Sequence, residues 1–96
     1  MADPSEDPTP LDAYLAELLA EARLTQRELA SAVGYLESEV SRWRHGHRAP
    51  SVVAVWAIAE VVGKRVNRTP TGIAGELARR VVETYGDRSA KDRPPD

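Results

Sequence analysis

The chain contains no cysteine, which excludes a disulfide framework and a thiolate-based zinc site as supports for the fold. It has no long hydrophobic run. The longest, Val52 to Ala59, is far short of the roughly 20 apolar residues a membrane-spanning helix needs. No base occurs among residues 1–22, which hold six acids, Asp3, Glu6, Asp7, Asp12, Glu17 and Glu21, so the basic leader of a secretory signal is missing. Together these absences imply a cytoplasmic protein without a membrane partner. There is no nucleophile–base constellation and no glycine loop for phosphates, so catalysis and a cofactor are not expected. His45-Gly46-His47 is too poor a ligand set to imply a metal. With 96 residues, one small domain is expected, stabilised by helix packing and helped by oligomerisation.

The total charge is −2, which by itself argues against a nucleic-acid partner. The distribution argues otherwise. Residues 23–68 carry eight bases and four acids, and Val40 to Ser51 contains three arginines, two histidines and no acid. Steering toward phosphate depends on the local field rather than on the sum.

Residues 1–8, rich in Asp, Glu and Pro, read as a disordered acidic tail. Thr9 caps a first helix, with Pro10 at its first position and Asp12 in its first turn. Leu11, Tyr14, Leu15, Leu18, Leu19 and Ala22 line one apolar face at helical spacing. Thr25-Gln26-Arg27-Glu28 fits a capping box and opens a second helix, whose Leu29, Ala30 and Val33 point inward. Gly34 ends it, because glycine takes the left-handed cap conformation without penalty. A third helix runs from about 37 to 44. Val40 and Trp43 form its one narrow inward stripe, and a helix this polar depends on its neighbours for stability.

Gly46 closes the third helix, and the loop His45 to Pro50 is basic. Ser51 caps a fourth helix, Val52 to Val62, expected to end at Gly63 and to be apolar nearly all round except for Glu60. Such a helix is central to a bundle or covered by a partner. Thr69-Pro70 repeats the cap signal of Thr9-Pro10 and opens a fifth helix of about 70–85, with Ile73, Leu77, Val81 and Tyr85 at spacing four. Gly86 is expected to stop it, leaving 87–96 as a solvated, disordered tail. Trp43 and Trp56 read as core residues rather than base-stacking platforms, while Tyr35 is assigned to neither class.

Leu24-Thr-Gln-Arg-Glu-Leu-Ala, Gly34, Val40-Ser-Arg-Trp, Gly46, Arg48-Ala-Pro-Ser and the helix up to Val62-Gly63 resemble the Cro/C1-type (XRE-type) helix-turn-helix over about residues 11–63. The resemblance implies an all-α, compact five-helix bundle of the lambda-repressor-like type, with the helix-turn-helix at the second and third helices. It also implies a transcriptional regulator that binds double-stranded DNA, often as a homodimer on a palindromic operator. Gln26 falls where the family opens its second helix with a backbone-contacting glutamine. Glu37, Ser38, Ser41 and Arg42 fall on groove-facing positions of the recognition helix. The sequence departs from the pattern at Leu36, where a capping Ser or Thr is common, and at Arg44, where a glutamate is common. Carboxylates at Glu37 and Glu39 are a third departure.

The expected base contacts are Glu37, Ser38, Ser41 and Arg42. Arginine can hold guanine O6 and N7 with two parallel bonds, and a carboxylate can accept from cytosine N4. Glu39 is better explained by the helix dipole, which favours an acid in the first turn. The expected phosphate contacts are Gln26, Arg27, Arg44, His47, Arg48 and Ser51, at a helix start and along the basic loop. The leading functional expectation is a repressor acting as a homodimer, with the fifth helix and the surplus apolar surface of the fourth as candidate dimer contacts, the face itself not being readable from the sequence. Two alternatives stand beside it: an antitoxin that also binds a toxin partner, and a protein-interaction module that no longer binds DNA.

Overall fold

The computed structural model describes residues 8–92, with five helices and no strand among them: α1 (Pro10–Ala22), α2 (Gln26–Val33), α3 (Glu37–Arg44), α4 (Val52–Val66) and α5 (Pro70–Asp92). This is the all-α, five-helix architecture expected from the sequence. Residues 1–7 and 93–96, the ends of the two expected tails, lie outside the described residues. No helix among the described residues is long and apolar enough to cross a membrane.

The local signals at the helix starts act as the sequence implies. The Thr9 hydroxyl accepts from the Asp12 N–H at 3.0 Å. Thr25 and Glu28 form a complete capping box, the hydroxyl accepting from the Glu28 N–H and the carboxylate from the Thr25 N–H. These bonds favour the ionised form, so the Glu28 carboxyl lies below its ordinary pKa, chiefly through the Thr25 backbone bond. Gly34 adopts φ 82° and closes α2. Ser51 accepts from the Ala54 N–H and opens α4.

The helices enclose one core. Leu11, Leu15 and Leu18 of α1, Leu29 of α2, Val40 and Trp43 of α3, Ile58 and Val62 of α4, and Ile73 and Leu77 of α5 are all buried. Burying side chains of this size stabilises a fold by about 1.5–3 kcal/mol each, which holds the short polar α3 in place. Tyr35 packs its ring against Trp43 edge to face, with centroids 5.0 Å apart, so the turn between α2 and α3 is sealed onto the core.

Three expectations are corrected. Gly63 does not end α4, which continues to Val66 and is closed by Asn67 in the left-handed conformation at φ 58°. Gly63 serves a close approach instead: a Cβ there would stand 2.8 Å from the Arg68 carbonyl oxygen. Gly86 does not stop α5, which runs on to Asp92 and takes in residues 87–92 of the expected tail. A glycine ends a helix only where the chain turns left-handed, and Gly86 has no positive φ. Trp56 is not a core residue. It is 42% exposed, beside Val52 and Val53, which are more exposed still. α4 buries Ala54, Val55, Ile58, Ala59 and Val62, so its opposite apolar face remains on the surface.

Candidate nucleic-acid interface

α3 shows two sharply different faces. Val40 and Trp43 are buried, while Glu37, Ser38 and Arg42 are exposed and Ser41 is half-buried. Residues 37, 38, 41 and 42 are related by steps of three and four, so they share one side of the helix. All four expected base-contact residues therefore stand together on the outward face. Glu37 and Glu39 occupy the first turn and Arg42 and Arg44 the last, an arrangement that suits the helix dipole at both ends. Leu36 provides no side-chain cap, so the acids take on the stabilisation of that end.

The C-terminal end of α3 is tied down by the rest of the bundle. The His47 N–H donates to the Arg42 carbonyl at 3.0 Å. From α5, the Tyr85 hydroxyl reaches the Trp43 carbonyl at 2.8 Å and the Arg48 carbonyl at 2.7 Å. The Thr9 hydroxyl donates to the Arg44 carbonyl at 3.1 Å, and the Thr84 hydroxyl accepts from the Leu11 N–H at 3.0 Å. The loop after the recognition helix is thus held by α1 and α5 together. Its exposed bases, His47 and Arg48, are free to face outward because the backbone beneath them is already paired. His45 turns back on α3, with its Nδ1 2.8 Å from the Ser41 carbonyl.

The expected phosphate contacts divide into two groups. Arg27, His47, Arg48 and Ser51 are exposed. Ser51 uses its oxygen to cap α4, and its hydroxyl proton remains available to an acceptor. A recess of about 280 Å³ lies between α3 and the start of α4, lined by Tyr35, Glu39, Trp43, Arg48, Ala49 and Ser51. Gln26 and Arg44 differ from the rest. Arg44 is half-buried, and its Nε donates to Asp12 Oδ1. Its Nη1 donates to Gln26 Oε1 at 2.7 Å. The guanidinium is directed into the junction of α1, α2 and α3 rather than out along the basic loop.

Sequence reasoning missed three members of this assembly. Asp12 reads only as a first-turn acid, Thr9 only as a cap, and Tyr85 only as part of an apolar stripe. Thr9 and Tyr85 donate to backbone carbonyls, which leave no mark in the sequence; Asp12 alone had a signal, Arg44 standing at a position where the family commonly carries an acid. A base there calls for an acid nearby, and α1 supplies Asp12.

No curated protein and no solved structure matched the chain. A family model described as helix-turn-helix matches residues 15–67, more than half of the chain and all of α2, α3 and α4. The protein belongs to the Cro/C1-type (XRE-type) helix-turn-helix family, a family of DNA-binding regulators with a lambda-repressor-like helical fold.

Proposed function

We propose that this protein is a sequence-specific transcriptional regulator that represses by occupying a palindromic operator as a homodimer. The observation that carries this reading is the two-faced α3. Its outward side presents Glu37, Ser38, Ser41 and Arg42 while its inward side is locked by Val40 and Trp43. Arg42 is the main reader, through a guanine edge. Ser38 and Ser41 add adaptable hydrogen bonds, and Glu37 disfavours sites that lack a donor facing it. Gln26, Arg27, His47, Arg48 and Ser51 hold the phosphates on either side.

The homodimer is supported by the surface of α4 and α5. An apolar groove of about 450 Å³ runs between them, lined by Pro50, Val52, Val55, Trp56, Ala74, Ala78, Val81 and Val82 among others. Val52, Trp56 and Val82 are exposed there. A second copy of the chain is the occupant that fits a regulator, because a two-fold operator needs two recognition helices in fixed relation.

The deciding experiment is a selection from a random duplex pool followed by binding titrations across salt concentration. A regulator of this kind enriches a palindromic motif, and its affinity falls steeply with salt, with a slope set by the phosphates it neutralises. Failure to enrich any motif, with no binding at low salt, would refute the proposal in favour of a protein-interaction module. A stably co-purifying toxin would make the antitoxin reading the better one.

A further inference from the structure

We propose that Arg44 is a positioning residue. It holds the Gln26 side-chain amide with its oxygen inward and its nitrogen outward, ready to donate to a DNA phosphate. This inference rests on the DNA-binding reading above.

A phosphate oxygen only accepts, so a glutamine can bind it only through the amide N–H₂. The terminal torsion of a glutamine is broad and roughly two-fold, so an unrestrained Gln26 presents oxygen or nitrogen to the DNA with similar ease. A guanidinium only donates. Arg44 Nη1 lies 2.7 Å from the Gln26 amide, at its Oε1. The opposite amide orientation would set N–H against N–H at that distance. The donor-only partner therefore selects one orientation, and it is the one a phosphate requires.

Arg44 can act this way because it is itself held at two points. Asp12 accepts from its Nε, and Thr9 donates to its backbone carbonyl. Arg44 and Asp12 side chains are only 21% and 18% exposed, so the pair is shielded from competing water and its charge is balanced locally. Arg44 is two residues beyond Arg42, on the recognition helix itself. The lock therefore connects the phosphate anchor at the start of α2 to the base-reading face of α3, and fixes one relative to the other. The base at 44 has an effect that its exchange for another cation would not reproduce, because the planar fork reaches Asp12 and Gln26 together.

The test is a double-mutant cycle of Arg44→Met and Gln26→Ala on the full chain. It uses the duplex enriched by selection and measures binding across a salt series. Arg44→Lys is run alongside, and circular dichroism establishes that each variant is folded at the binding temperature. In the presence of Gln26, Arg44→Met is expected to weaken binding roughly threefold to tenfold, the net effect of one hydrogen bond. It should have no further effect once Gln26 is alanine. The salt slope should not change, because Arg44 neutralises no phosphate. Arg44→Lys should show a similar loss, and it carries the cycle alone if the methionine variant does not fold. In the DNA-free protein, the Gln26 side-chain amide resonances should shift in either variant.

An equal loss in both Gln26 backgrounds, with the salt slope falling by about 1, would show that Arg44 is a direct phosphate contact and overturn the proposal. Wild-type affinity in both Arg44 variants would also overturn it. If the wild-type chain binds no duplex at all, the DNA-binding reading fails and this role fails with it. If the wild type binds and the cycle shows no coupling, the positioning role alone is wrong.

Discussion

The hydroxyl of Tyr85 lies 2.7 Å from the carbonyl oxygen of Arg48, in the middle of the loop that follows the recognition helix. The same hydroxyl is 2.8 Å from the Trp43 carbonyl. One α5 side chain thereby joins the last turn of α3 to the loop that leads into α4. Tyr85→Phe keeps the ring and removes the donor, leaving carbonyls near the core short of a partner. Stability should fall by about 1–2 kcal/mol, read from the midpoint of urea unfolding. DNA affinity should also fall, because His47 and Arg48 stand on the loosened loop. An unchanged midpoint would show that water replaces the hydroxyl at no cost.

Gly63 should not tolerate a methyl group. Alanine normally stabilises a helix interior relative to glycine. Here the added Cβ would meet the Arg68 backbone at 2.8 Å, and a backbone oxygen cannot swing aside like the end of a long side chain. Gly63→Ala is expected to destabilise by about 1–3 kcal/mol, measured by thermal or urea unfolding. A gain in stability would mean that the α4–α5 connector shifts freely.

Arg42 and Gln26 should separate in a specificity measurement. Arg42→Ala is expected to cost about 1–3 kcal/mol on the preferred duplex and to relax preference at one position. Gln26→Ala should weaken all sequences alike. Equal and uniform losses from both would place the groove-facing surface elsewhere than on the 37, 38, 41, 42 side of α3.

The exposed apolar face of α4 makes Trp56 the residue to change. Trp56→Glu puts a charge into the groove shared with α5 without disturbing the core, since Trp56 is 42% exposed. Sedimentation should show a shift from dimer to monomer, and operator affinity should fall with it. Trp43, which is buried, serves as the internal control: its fluorescence should resist iodide, while that of Trp56 becomes protected only on dimerisation. A monomeric wild type at binding concentrations would refute the α4–α5 dimer.

Acid sensitivity should arise on α5. Glu76 accepts from Arg79 and from Arg80, each at 2.7 Å, and these bonds hold its carboxyl down to about 2 from the usual 4.5. The folded protein therefore favours the ionised form more than the unfolded chain does. The resulting stabilisation is fully present above pH 4.5 and is lost as pH falls toward 2. The group is solvated, so the effect is modest and should shrink with added salt. A carboxyl titration by NMR gives the value directly, and Glu76→Gln should flatten stability against pH in that window. A carboxyl titrating at its ordinary value would show that the arginines do not hold it.

The helix starts were legible in the chain because each depends on a few neighbouring residues. Thr9 with Pro10, Thr25 with Glu28, and Ser51 ahead of its apolar run report local hydrogen bonds that form wherever the rest of the chain goes. The two-faced character of α3 was legible for the same reason, as a periodicity. The helix ends were less so. Gly34 caps α2, but Gly63 and Gly86 lie within helices, because a glycine allows a left-handed turn without requiring one. Whether the chain turns is decided by what packs next to it, and at Gly63 that neighbour is the Arg68 backbone.

By itself the sequence determined five helices, the helix-turn-helix spacing and the basic loop, since all three follow from short-range periodicity, capping and charge. Only the tertiary structure decided which face of α4 is covered, because an all-round apolar helix carries no marker of its inward side until α5 packs on it. Only the tertiary structure decided what the Arg44 side chain touches. Its partners Asp12 and Gln26 are distant in sequence and come together where three helices converge, and there a residue that reads as a phosphate contact is paired within the fold.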